Sequence, residues 1–249
     1  MIKNTNHALN HYQFSNMKIF PRLVHGVFTR HGGVSRGPYE SLNVSFHVED
    51  HSSAVQQNHQ RIVETMGLPQ WQTLHQTHSC TVHVIDTVST TPLTGDALIT
   101  HQPNILLIVK TADCQPVLLF DSKKCIVAAI HSGWRGSVQN IIGTTIERMI
   151  ATGSDPNHIF AGIGPSLGPC CGEFVNYQQE LPEYMWSYAV KPNYFDFWEI
   201  SKKQMHDAGV PENNIEISNV CTKCQSDLFF SYRRKKVSGR FATVIGICP

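Results

Sequence analysis

One cysteine and two histidines stand where this chain could do chemistry: His78 in His75-Gln76-Thr77-His78, Cys114 in Thr111-Ala112-Asp113-Cys114, and His131 at the head of His131-Ser132-Gly133-Trp134-Arg135-Gly136. One thiolate and two neutral imidazoles form a preferred ligand set for Zn²⁺, and three protein ligands leave one tetrahedral position open to water or substrate. Separations of 36 and 17 residues rule out a compact finger, so a sheet has to gather the three. A metal-free alternative uses two of them, Cys114 as nucleophile and His131 as base. It leaves His78 without a task.

A thiolate ligand makes such a centre less positive than three histidines would, so a metal-bound water there needs help from a base. Asp113 and His75 are the catalytic candidates within reach along the chain. Gly133 and Gly136 expose backbone N–H groups at what reads as a helix start, which suggests an anion pocket beside the metal. Two further cysteine signals are set aside. Cys221-Thr222-Lys223-Cys224 has redox or zinc-knuckle spacing but no second C-x-x-C pair, and Cys170-Cys171, in a Gly/Pro-rich loop, is the pair that would have to complete a knuckle.

The elements that must position these residues follow from periodicity. Residues 24 to 30 read as a strand and 43 to 47 as a second extended piece. After Asp50, an N-cap candidate, Val55, Ile62, Val63 and Met66 recur at helical spacing until Gly67 and Pro69. His59 shares that apolar face and reads as a buried structural histidine. Residues 81 to 88 alternate, and residues 105–109, 117–120, 126–130 and 159–163 are short apolar runs of the kind that form strands covered on both faces. A helical stripe runs from Ser137 to Gly153, further helices are expected at 177–189 and 198–208, and 241–247 makes a final strand. The expected fold class is α/β with α+β character: a single layered domain over 1–249 with a mixed central sheet flanked by helices, residues 1–20 forming an N-terminal extension.

Composition excludes several classes of function. The 249 residues are 41% hydrophobic, enough for a substantial core, and the formal net charge is +1. The compact basic run Arg233-Arg234-Lys235-Lys236 reads as a solvated turn, so no nucleic-acid partner is expected. The first residues lack the apolar core of a signal peptide and no apolar run is long enough to span a bilayer, so a cytoplasmic protein with no membrane partner is expected. Eight irregularly spaced cysteines then point to thiols, metal ligands or a nucleophile rather than a disulfide framework.

The blocks HGVFTRHGGVS, SLNVSFHVED, HQTH, TADCQP, HSGWRG, AGIGPS and CTKCQSDLFFSYRRKKVSGR, in that order, resemble the YfiH-like (laccase-domain, polyphenol oxidase-like) family from about Val24 onward. The resemblance implies that His78, Cys114 and His131 bind zinc. It also implies a purine nucleoside enzyme that phosphorolyses adenosine, inosine or methylthioadenosine and deaminates adenosine, with phosphate as co-substrate. Relatives have also been cast as copper polyphenol oxidases, and some as peptidoglycan-precursor editing hydrolases. Phosphorolysis asks for guanidinium groups or amides around phosphate, and Arg30, Asn43, Arg135 and Arg234, all inside matching blocks, are the candidates for holding substrate and phosphate. The chain departs from the family pattern at Ser79, at His59 and near Cys171.

Overall fold

A computed structural model of the chain describes residues 1–5 and 9–249. The mixed α/β class expected from the sequence is observed, with one difference: the described residues form two six-stranded mixed sheets rather than one central sheet. The first is ordered Ile2–Asn4, His11–Gln13, Leu23–Phe28, Phe241–Ile247, Ile105–Thr111, Gln70–Gln72, and the second Ile215–Ile217, Ile159–Ile163, Gln115–Asp121, Ile126–Ser132, Ala97–Thr100, Val82–Val84. The physical reason lies in the apolar runs. A strand covered on both faces shows no alternation, and period alone does not say whether the cover is a helix or a second sheet.

Successive residues of one strand face different partners. Leu107 and Val109 join Val27, Ile245, Leu98, Leu118, Val127 and Ala129 in a core shared by both sheets. Leu106 and Ile108 point the other way, onto Ile62, Val63 and Met66 of the helix Ser52–Met66. Val117, Leu119, Ala128 and Ile130 of the second sheet meet Ile142, Ile146 and Met149 of the helix Ile141–Ala151 and Met205 of the helix Phe197–Asp207. The layers run helix, sheet, sheet, helix. Residues expected to form an N-terminal extension supply two strands at the edge of the first sheet and bury Phe14 and Met17 in the shared core.

Other differences are local. The stripe read as one helix from Ser137 is broken: Trp134–Val138 is a short helix, and Asn140, in the left-handed conformation, caps a new one through Gly143 N at 3.1 Å. The 177–189 segment is a single turn Tyr177–Glu180, then Pro182, then a 3₁₀ stretch Glu183–Tyr188. Residues 43–47 form a loop, because the Asn43 side chain takes Ser45 N and the Asp50 carboxylate takes His51 N and Asn43 Nδ2, so Asp50 is not the cap. His59 is buried with Nε2 2.8 Å from Val44 O, and burial pushes its pKa down to about 4.

Candidate metal centre

The first sheet hands the chain to the second through only three residues, 112–114, between the strands Ile105–Thr111 and Gln115–Asp121. Cys114 sits in that crossing. The strand Gln115–Asp121 then turns at residues 122–125, where Asp121 Oδ1 accepts from Lys123 N and Lys124 N, and returns antiparallel as Ile126–Ser132. Its register pairs Pro116 with His131 and Gln115 with Ser132, which is why a 17-residue separation returns His131 to Cys114.

His78 arrives by a different route. Asp96 accepts hydrogen bonds from the backbone N–H groups of Thr77 (3.2 Å), His78 (3.0 Å) and Ser79 (2.7 Å), and from Ser79 Oγ at 2.7 Å. This carboxylate folds the loop so that His78 adopts φ 60°, a left-handed conformation uncommon outside glycine. His78 Nε2 then lies 3.7 Å from Cys114 Sγ, and the ligand atoms of His78, Cys114 and His131 all fall within 4.8 Å of one another. Bond lengths of about 2.3 Å to sulfur and 2.0 Å to nitrogen at tetrahedral angles separate S and N by about 3.6 Å, so the trio fits one metal ion.

Asp96 also binds the third member: His131 Nδ1 is 2.7 Å from Asp96 Oδ1, and His131 N donates to Asp96 O. That leaves Nε2 to face the sulfur. Against the opposing effect of burial, His131 and His78 pull the Cys114 thiol down to about 6. Burial equally opposes charge on His131, yet Cys114 and Asp96 push its pKa up to about 9. Asp96, despite its burial, is held below the usual carboxylate range by His131 and Ser79. Without metal, the pair is a thiolate facing an imidazolium. Sequence reasoning missed Asp96; its only signal was a Gly95-Asp96 step directly before a buried strand.

Gly133 has a different role from the one read in the sequence. A Cβ there would stand 2.6 Å from His78 Cδ2 and 3.2 Å from Cys114 Sγ, so its lack of a side chain makes room for two of the three. The helix it precedes, Trp134–Val138, has five residues, and a Cβ on Gly136 would stand 3.2 Å from Ile141 Cγ2.

Two cavities meet at the trio, with His78, Cys114 and Tyr232 lining both. One, of about 390 Å³, is walled by Trp134, Phe174 and Phe197 and carries Arg233 and Lys236 at its edge. The other, of about 440 Å³, is lined largely by residues with polar side chains, among them Ser45, His47, Gln76, Lys110 and Arg240. Both have the size of small-molecule sites. Burial lowers the Lys110 pKa to about 8, and its ammonium donates to Leu74 O at 2.5 Å.

The remaining sequence candidates are dispersed. Asp113 borders the aromatic cavity, but its carboxylate already accepts from Thr222 Oγ1 at 2.6 Å and Arg233 N at 2.5 Å. His75 lines neither cavity and contacts His47, 2.9 Å between ring nitrogens; His47 is the one that faces the polar cavity. Arg30 donates to Glu40 O and Ser226 O and stacks on Phe230, Arg135 is exposed and stacks on Trp134, and Arg234 is exposed near Lys223 O. None of the three is among the residues lining these cavities. Asn43 is buried and accepts from Arg240 N, so it places Arg240 rather than a ligand. Sequence reasoning overlooked Arg240 and Lys110, and read Arg233 and Lys236 as part of a solvated turn, because a cation's side of a strand or turn depends on register.

Fold and site together define a two-sheet α/β protein with a Cys/His₂ cluster, a candidate metal site, at the crossing between sheets. The chain belongs to the family described as multi-copper polyphenol oxidoreductase laccase, whose model matches residues 24–248. It is 35% identical to a purine nucleoside phosphorylase of Haemophilus influenzae, over 90% of this chain and 95% of that one, and 32% identical to the purine nucleoside phosphorylase YlmD of Geobacillus stearothermophilus, over 91% of each. The crystal structure of YlmD from Geobacillus stearothermophilus superimposes with a TM-score of 0.87 at 28% identity, covering 99% of this chain and 98% of that one. Bacillus licheniformis YfiH gives 0.84 at 31% identity, covering 90% and 92%. No helix among the described residues is long and apolar enough to cross a membrane.

Proposed function

We propose that the chain is a zinc-dependent enzyme that phosphorolyses purine nucleosides, among them adenosine, inosine and methylthioadenosine, to free base and ribose 1-phosphate (5-methylthioribose 1-phosphate from methylthioadenosine), and that it deaminates adenosine at the same centre. The observation that carries this reading is the position of His78 and Cys114 between an aromatic cavity and a second one lined by polar and cationic side chains, with His131 on the polar side. A nucleoside has a flat, mostly apolar base, which suits walls of Trp134, Phe174 and Phe197, and a polar ribose next to which phosphate must lie. Arg240 and Lys110 are the cations facing the polar side, and they replace Arg30, Arg135 and Arg234 as the groups we assign to phosphate.

A zinc ion held by the trio would supply a Lewis acid at its open position and lower the pKa of water there to roughly 7. Asp96 keeps the His131 ring aimed at the site. His47 is the base we assign, because it lines the polar cavity; burial, then His75 and Lys110, lower its pKa. The work is expected to take place in the cytoplasm, with nucleoside and phosphate as the small-molecule partners.

One observation favours a second reading. The alignment Asp96, His131, Cys114 is that of a cysteine hydrolase, with the carboxylate orienting the base and a lowered thiol pKa. His78 against the same sulfur argues for a metal instead. A multi-copper oxidase would need more imidazole ligands than this cluster holds, the other cysteine/histidine cluster among the described residues being all-cysteine.

The test is product chromatography after incubating metal-analysed protein with adenosine, with and without phosphate. Adenine plus ribose phosphate, formed only with phosphate, is the expected result, accompanied by inosine. Full turnover in a strong chelator would make Cys114 a nucleophile, and no nucleoside product from zinc-loaded protein would sink the proposal.

A further inference from the structure

The two cysteine pairs set aside in the sequence lie together in space. Sγ of Cys224 is 3.6 Å from that of Cys171 and 3.7 Å from that of Cys170, and all four sulfurs of Cys170, Cys171, Cys221 and Cys224 fall within 4.8 Å of one another. We infer that these four cysteines bind a second zinc ion as a closed four-thiolate site, distinct from the centre at Cys114 and structural in role.

The spacing is the first argument. Four thiolates around zinc at about 2.3 Å stand about 3.8 Å apart, close to the separations observed and far beyond a disulfide bond of about 2.05 Å. The second is the surroundings of Cys221. The backbone N–H groups of Gly168 and Cys224 point at its sulfur, satisfying a thiolate as a C-x-x-C turn around a metal does. Gly168 must be glycine for this approach: a Cβ there would lie 2.7 Å from Trp198 Cη2 and 3.1 Å from Cys221 Cβ. The third is exposure. Cys170 and Cys224 are exposed, so an ion reaches the four converging sulfurs directly from solvent. Each ligand gives up its thiol proton to solvent as the ion binds.

A closed set of four leaves no position for substrate, so the site's effect is mechanical. It joins the 164–174 loop to the 218–236 loop, already bridged at Ser166 and Cys221. The first loop supplies Leu167 and Phe174 to the aromatic cavity and the second supplies Tyr232, Arg233 and Lys236. Thr222, between the paired cysteines, holds Asp113 beside Cys114. The ion would therefore staple the cavity wall from behind.

The experiment combines metal analysis with thiol footprinting on the full chain. Parent protein is expected to carry two zinc ions, Cys114→Ala one, and Cys114→Ala with Cys170→Ser and Cys224→Ser none. In the unsubstituted protein, alkylation of Cys170 and Cys224 should be roughly tenfold or more slower before chelation than after it, a readout that needs no variant to fold. Cobalt(II) bound by Cys114→Ala protein should give the absorption of an all-thiolate tetrahedral centre. Zinc-free Cys114→Ala protein, alkylation rates unchanged by chelation, iron in place of zinc, or a disulfide among the four in protein isolated without oxygen would each overturn the assignment.

Discussion

Asp96 holds His131 and the backbone of His78 with one carboxylate: Oδ1 is 2.7 Å from His131 Nδ1 and 3.0 Å from His78 N. Asp96 has no exposed surface and His131 is 4% exposed, so this link is buried beneath the cavities. Two of the three candidate ligands thus depend on a residue that is not itself one of the three.

Asp96→Asn is therefore expected to weaken metal binding by about 10- to 100-fold, the usual cost of removing a carboxylate behind a metal-bound histidine. Competition with a chromogenic chelator measures it. An affinity equal to the parent's would show that neither histidine needs this carboxylate.

Metal affinity should rise with pH in two regimes. Between about 6 and 9 the Cys114 thiol is already ionised while His131 still holds a proton, so each ion bound displaces one proton and affinity should climb about tenfold per pH unit. Below about 6 the thiolate also takes up a proton, and the slope should steepen. Activity should follow bound zinc downward on acidification and return at neutral pH only with zinc present. A loss of activity in acid with zinc fully retained would contradict the metal reading.

Gly133→Ala should abolish metal binding while leaving most of the fold. The added methyl would be placed 2.6 Å from His78 Cδ2, and the left-handed His78 loop, tied to Asp96, has little room to retreat. Metal content and circular dichroism, measured together, separate this from unfolding.

Arg240→Gln should raise KM for phosphate by roughly ten- to a hundredfold, the cost of one charge-assisted contact of about 1.5–3 kcal/mol, with zinc retained. Arg135→Ala should change it by less than about twofold, since that side chain lies on Trp134 outside both cavities. Steady-state kinetics with varied phosphate decides between the two arginines, and the reverse pattern would return the role to Arg135.

Much of this was legible in the chain. The apolar runs located the strands at 105–109, 117–120, 126–130 and 241–247, and residue type singled out Cys114, His78 and His131, which the structure brings together. What sequence could not carry was pairing. The separation of Cys114 and His131 is the length of one hairpin, but nothing in it names the register; the same ignorance hid Arg240 and Lys110, which reach the cavity from two neighbouring strands or their ends. Asp96 was invisible for another reason: its partners are mostly backbone N–H groups, which have no identity in a sequence.

The strand Phe241–Ile247 pairs on one side with Leu23–Phe28 and on the other with Ile105–Thr111, so it occupies the middle of the first sheet. Synthesis runs from the N-terminus, and this strand emerges long after the Cys114 crossing and the His131 hairpin have left the ribosome. Until it inserts, Leu106 and Ile108 lack Ala242 and Val244 beside them, and Arg240, immediately before it, cannot reach the polar cavity. A nascent chain can thus gather its three candidate ligands while the polar cavity still lacks Arg240, and completion of the sheet is a late, long-range closure of the kind that folds slowly and exposes strand edges to other chains meanwhile.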